Sequence, residues 1–189
     1  MIMENEVVTY SKPSKFFHWL IAILVLSMLS VSFFLEDVPK PYASTVWMLH
    51  KSFGLSILTL MILRIVWIIQ RPGPDLPVSV PVWQKFMARF VQYNLYLFVI
   101  LMPLSGWIMS VAAGKTPIFF GLFPVTLPGI AHDKNLAKLM NQSHKTIAWI
   151  IICLLVLHIA GALKHHFFDK DNVLLRMLPG RRNSLSSRN

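Results

Sequence analysis

Four stretches of this 189-residue chain, roughly 16–35, 47–69, 90–112 and 144–163, are long and apolar enough to cross a bilayer. A hydrocarbon core about 30 Å thick asks for about 20 mainly apolar residues in a helix. No water is available there for an unpaired backbone, so each such stretch is expected to close its hydrogen bonds internally as a helix. The composition agrees, with 55% hydrophobic and 14% charged residues, far from the balance of a soluble domain. The first stretch holds His18 and Trp19 and has no small-residue cleavage pattern before Glu36 and Asp37, so it is expected to be a retained span and not a signal peptide. No internal repeat or linker divides the spans. The expected fold is therefore all-α, a transmembrane four-helix bundle over residues 1–182 followed by a polar cytoplasmic tail, 183–189.

The connections differ in character. Residues 71–81, "RPGPDLPVSVP", are too rich in proline to be helical throughout, and residues 112–135 are long, aromatic and broken by Gly and Pro. The second connection is expected to lie along the membrane surface. Short loops rich in Lys and Arg stay cytoplasmic. With both termini inside, Arg64, Arg71, Arg89, Arg176, Arg181, Arg182 and Arg188 and five lysines fall on the cytoplasmic side, against six lysines outside, a split of 12 to 6. The formal charge of +10 is then mostly topology and contact with anionic lipid. Basic residues that flank spans and form no soluble face give no support to nucleic-acid binding.

Depth sorts the histidines. His18 falls at the inner end of the first span, His50 and His144 at the outer starts of the second and fourth, and His158 about 21 Å further in than His144, at about 1.5 Å per residue. Fourteen steps of about 100° return His158 to within about 40° of His144, and seven more bring His165 to the same face. The pattern suggests two levels with two imidazoles each. Such a pair, meeting across a bundle core, is the axial ligation that a b-type haem needs. The chain has no C-x-x-C-H motif, so no thioether attachment is expected. A lone histidine in a span also serves as an interhelical hydrogen bonder or a headgroup contact, and that alternative stands for each one taken singly.

Gly54 follows His50 by four and Gly161 follows His158 by three, each on the ligand's own face, where a flat macrocycle needs room. Close helix packing is the other use of such glycines. The third span lacks histidine and offers Pro103, Gly106 and Trp107 as a cavity wall. Arg64 follows His50 by 14 and so shares its face at the inner level, where a haem propionate or ordinary snorkelling would account for it. A zinc or copper site would gather three or four ligands at one depth, unlike these two-ligand levels. No Ser/His/Asp set and no glycine-rich phosphate loop points to hydrolytic or nucleotide chemistry.

The blocks "SKFFHWLIAILVL", "WMLHKSFGLSILTLMILRIVW", "NLYLFVILMPLSGWIMS" and "SHKTIAWIIICLLVLHIAGALKHHFFDKDNVLLRMLPG" resemble successive parts of the bacterial cytochrome b561 family, over about residues 10 to 182. The resemblance implies two b haems with iron bound by His50 and His144 at the outer level and by His18 and His158 at the inner one. It also implies electron transfer between the outer face and ubiquinone in the bacterial inner membrane. Some members are similar to superoxide oxidases, and related cytochromes are membrane subunits of periplasmic redox enzymes.

Two readings of the donor follow. In the first, superoxide:ubiquinone oxidoreduction, Lys51, Lys115, Lys134, Lys138 and Lys145 make the outer mouth positive for a small anion, with Lys115 and Lys145 nearest the reaction. In the second, the chain docks to a periplasmic electron donor through the aromatic 117–123 stretch. A haem-free transporter ranks last, for want of acidic residues or inverted repeats in the spans. His165, at the inner end of the ligand face, is the expected hydrogen-bond and proton donor to ubiquinone.

Overall fold

The computed structural model describes residues 9–77 and 80–180. The tail 183–189, together with Arg181, Arg182 and Arg188, lies outside the described residues. Four helices, α1 (Lys12–Ser32), α2 (Lys40–Gln70), α3 (Val82–Ala112) and α4 (Lys134–Phe167), follow one another in sequence, each long and apolar enough to span a membrane. They overrun the apolar stretches. At 34 residues and about 1.5 Å per residue, α4 is about 50 Å long, against a core of about 30 Å.

Local chemistry sets the helix ends. The Ser11 hydroxyl accepts from the Ser14 N–H at the start of α1, with Pro13 in the first turn. At the start of α4 the Asp133 carboxylate accepts from the N–H groups of Asn135 at 2.8 Å and Leu136 at 3.1 Å. Lys164, His165 and His166 occupy the last turn of α4, where the helix dipole favours cations.

The connection after α3 carries regular structure. It contains a two-stranded antiparallel hairpin, β1 (Ile118–Phe119) and β2 (Phe123–Pro124), turned through Phe120 and Gly121, both at positive φ. Ser52 of α2, 0% exposed, anchors it: the hydroxyl accepts from the Phe120 N–H at 2.8 Å and lies 3.3 Å from the Ile118 carbonyl. Hydrogen bonding to a buried side chain explains why this stretch folds onto α2.

The helices form an arc in which α1 packs on α2, α2 on α3 and α3 on α4. Opposite α3, the backbones of α1 and α2 do not close on α4, and side chains span the gap. Ile21 and Val25 of α1, Ile57 and Met61 of α2, Val99 of α3 and Ile151 of α4 form the mid-depth core, with Met61 1% and Ile151 2% exposed. Most of the remaining apolar surface points outward, and only 11% of the most apolar window of α4 is buried. That surface suits lipid.

Candidate functional site

The four histidines form two facing pairs, one towards the hairpin end of the bundle and one towards the end carrying the termini. In the hairpin-end pair, the rings of His50 and His144 have centroids 6.4 Å apart and planes at 66°. The His144 Nδ1–H donates to the Met102 carbonyl at 3.0 Å and lies 3.0 Å from the Ser105 hydroxyl, which itself donates to that carbonyl at 2.7 Å. A carbonyl only accepts, so the proton is held on Nδ1 and Nε2 is left as a lone-pair donor. Gly106 makes room for this ring: a Cβ there would stand 3.1 Å from His144 Cε1 and 3.3 Å from Nδ1.

Beside this pair opens a cavity of about 320 Å³, lined by His50, His144, Gly54, Pro103, Gly106 and Trp107 among others. Lys51 and Lys145 also border it. Lys51 Nζ donates to the Lys115 carbonyl at 3.0 Å, and Lys145 Nζ lies 3.6 Å from Glu36. The Lys115 side chain is exposed and lies outside the cavity lining, as do Lys134 and Lys138. Of the five outer lysines named in the sequence, Lys51 and Lys145 are the two that border the cavity.

At the other end His18 faces His158, with ring centroids 6.2 Å apart and planes at 58°. Arg64 comes from α2 to meet them and donates from Nη1 to His18 Nδ1 at 3.2 Å. Gly161, expected to relieve crowding, borders open space, and a Cβ there would meet nothing within 4 Å. The tight glycine is Gly106, which approaches its histidine from the facing helix instead of from the ligand's own.

Metal–imidazole bonds are about 2 Å long, so two axial imidazoles on one metal put their ring centres about 6 Å apart once each ring's half-width is added. Both pairs meet that spacing. The Nδ1 of His50 is buried without a partner, and the cavity beside His50 and His144 leaves room for a bound group. The residues thus fit b-type haem, and they offer two ligands per level, too few for a structural zinc.

Beyond His158, His165 is buried, and its Nδ1 lies 2.6 Å from Asp171 Oδ2 and 3.3 Å from Asp169 Oδ2. Asp169 is shared with Lys164 Nζ at 2.6 Å. Among the described residues, His165, Asp169 and Asp171 are the one trio of potential metal ligands gathered at a point, well away from the facing pairs. No spacing rule marks Asp171 in the sequence, because the chain turns back beyond α4 to bring it there.

A bundle of membrane-length helices with two facing imidazole pairs along one of them has the architecture of a b-type membrane cytochrome. The prokaryotic cytochrome b561 family model matches residues 9–180, and the chain belongs to that family, whose members bind b-type haem. It is similar to cytochrome b561 homolog 2 of Escherichia coli (strain K12), 32% identical over 182 residues, covering 94% of this chain and 95% of the relative. Cytochrome b561 homolog 1 of the same strain is 29% identical over 175 residues, covering 92% and 98%. The probable superoxide oxidase CybB of Yersinia pestis is 31% identical over 165 residues, covering 87% and 93%. The chain is thus a multi-pass bacterial membrane cytochrome.

Proposed function

We propose that the chain is a two-haem superoxide:ubiquinone oxidoreductase. His50 and His144 hold one haem and His18 and His158 the other, with the hairpin end periplasmic and both termini cytoplasmic in the inner membrane. The observation that carries the reading is the stacking of two imidazole pairs, with a cavity beside the first that is bordered by Lys51 and Lys145. The likeness to the Yersinia pestis relative, a probable superoxide oxidase, supports the same activity.

Bound haem supplies a one-electron store at each level. The chain's own groups supply the rest. Lys51 and Lys145, with Lys115 outside them, attract a small anion to the periplasmic mouth. The His144 Nδ1–H, held by Met102 and Ser105, keeps Nε2 aimed at the metal position. Ile151, Met61 and their neighbours keep water out between the levels. At the cytoplasmic end Asp171 holds His165 by Nδ1, which leaves Nε2 to hydrogen-bond a quinone oxygen and pass on a proton. Two superoxide anions each lose one electron and leave as dioxygen, and those two electrons with two cytoplasmic protons convert one ubiquinone to its quinol.

The test is the purified chain with a superoxide source and a soluble quinone. Two haems per chain and superoxide-driven quinol formation are expected, and no formation at full haem loading would overturn the reading. The hairpin supports the alternative of an electron-transfer subunit, since it exposes Leu122 at 77% and Phe123 at 53%, an apolar tip fit for a periplasmic redox enzyme. That reading predicts haem reduction by the partner enzyme and none by superoxide.

A further inference from the structure

The end carrying the termini concentrates cationic donors beyond what two histidines require. Arg64 is 8% exposed, its guanidinium lies 5.3 Å from the centre of the Tyr96 ring, and its Nε is buried without a partner. Arg176 likewise has a buried, unpartnered Nε, while its Nη1 donates to the Asp75 carbonyl at 2.7 Å. The segment after α4 brings Arg176 there. It is tied down where the Tyr10 N–H donates to the Arg176 carbonyl at 3.2 Å and the Trp19 indole N–H donates to the Met177 carbonyl at 2.9 Å. Met177, next in sequence to Arg176, is thereby held against the neighbour of His18, the residue that Arg64 meets. Among the described residues no carboxylate forms an ion pair with Arg64 or Arg176.

Tautomer chemistry adds a further donor. A guanidinium only donates, so His18 Nδ1 is now an acceptor and its ring proton sits on Nε2. A metal on Nε2 would require that proton on Nδ1, where it would oppose the Arg64 Nη1–H. Two donors cannot share the contact. Loading the site would therefore release Arg64 from His18, and a guanidinium with several freed donors in a buried setting is matched by a carboxylate.

We propose that Arg64 and Arg176 form a carboxylate seat that takes the propionates of the haem held by His18 and His158, and that the segment after α4 is the clasp that closes it. This rests on the reading that this pair binds haem. The hairpin end has no equivalent, since its cations are lysines and Lys145 is already engaged with Glu36.

The seat can be tested without turnover. Full-length haem-depleted protein in lipid nanodiscs is titrated with haem and with its dimethyl ester, in which the propionates carry no charge, and each level is followed by its own absorption band. At the His18–His158 level, haem should bind at least about tenfold tighter than the ester. At the His50–His144 level the two should bind within a few-fold of each other. Arg64→Gln with Arg176→Gln should erase the preference and lower the midpoint potential of that haem alone. Equal binding of haem and ester at the His18–His158 level of the unaltered protein would overturn the seat, as would a preference that survives both substitutions. If His18→Ala leaves every absorption band in place, it is the haem assignment itself that fails, a distinguishable outcome.

Discussion

The two histidine pairs share a ring spacing and differ in almost everything around it. His144, at the hairpin end, is locked by a backbone carbonyl and a serine hydroxyl beside an open cavity, whereas His18, at the other end, faces a buried guanidinium under a closed strap of chain. A carbonyl acceptor raises the basicity of a ligating imidazole, which favours the oxidised metal, while a nearby positive charge favours the reduced one. On the two-haem reading proposed above, the contrast is expected to draw electrons from the hairpin end to the end with the termini. One level is built for access, the other for holding a charge.

The largest effect that could break this comparison is loss of one level alone. His50→Ala or His144→Ala should remove the hairpin-end haem and keep the other, and His18→Ala or His158→Ala should do the reverse, read as haem content and site-resolved reduced-minus-oxidised spectra. Loss of the same band by His50→Ala and His18→Ala would dissolve the two-level description.

Next comes the separation of electron delivery from proton delivery. His165→Ala should leave both haems loaded and reducible, yet slow quinone reduction by about 10²-fold or more, the usual worth of a positioned proton donor. Asp171→Asn should fall between this variant and the unaltered protein, because the imidazole stays but loses the carboxylate that orients it. Unchanged quinone turnover in His165→Ala would move the quinone to the hairpin-end cavity.

The glycines sharpen the comparison at smaller cost. Gly106→Ala pushes a methyl against a ring held in place, and Ser105→Ala removes part of its support. Each should weaken haem at the hairpin end by about 10–100-fold, the common range for groups that orient a metal ligand. Gly161→Ala, facing open space, should change haem affinity at neither level. Parallel competition titrations against an apo-haem scavenger would check all three, and equal losses from Gly106→Ala and Gly161→Ala would mean that porphyrin room, not ring placement, governs both.

The smallest effect concerns attraction. Lys51→Gln should lower superoxide-driven reduction a few-fold at low salt and flatten its dependence on ionic strength, while leaving haem content unchanged. An unaltered salt slope would shift the steering role to Lys145 or to the exposed Lys115.

Much of this molecule is legible along the chain. The four helices follow from the length of the apolar stretches, since a bilayer gives a backbone few other ways to satisfy itself. The alignment of His144, His158 and His165 follows from helical periodicity, a property of one element and its spacing. The depth of His18 and His50 follows from where their spans begin. Arg64 could be placed at the level of His18 by the same counting, though its contact with His18, a partner the counting did not offer beside a propionate or snorkelling, could not.

The rest depends on contacts between residues far apart in sequence. Nothing local marks Gly106 as the residue that makes room for His144, or Met102 and Ser105 as its anchors, because the kinked third helix and the fourth must first pack together. Ser52 became the post for the hairpin, Asp171 the partner of His165 and Arg176 the neighbour of Tyr10 and Asp75 only when the connections folded back on the helices. Lys115 was conspicuous as a charge, yet its carbonyl is the group that reaches Lys51. Hydrophobic length and helical period act within one element and are written into it. Tautomers, clashes and the satisfaction of buried donors are decided between elements, and they exist only once the helices have met.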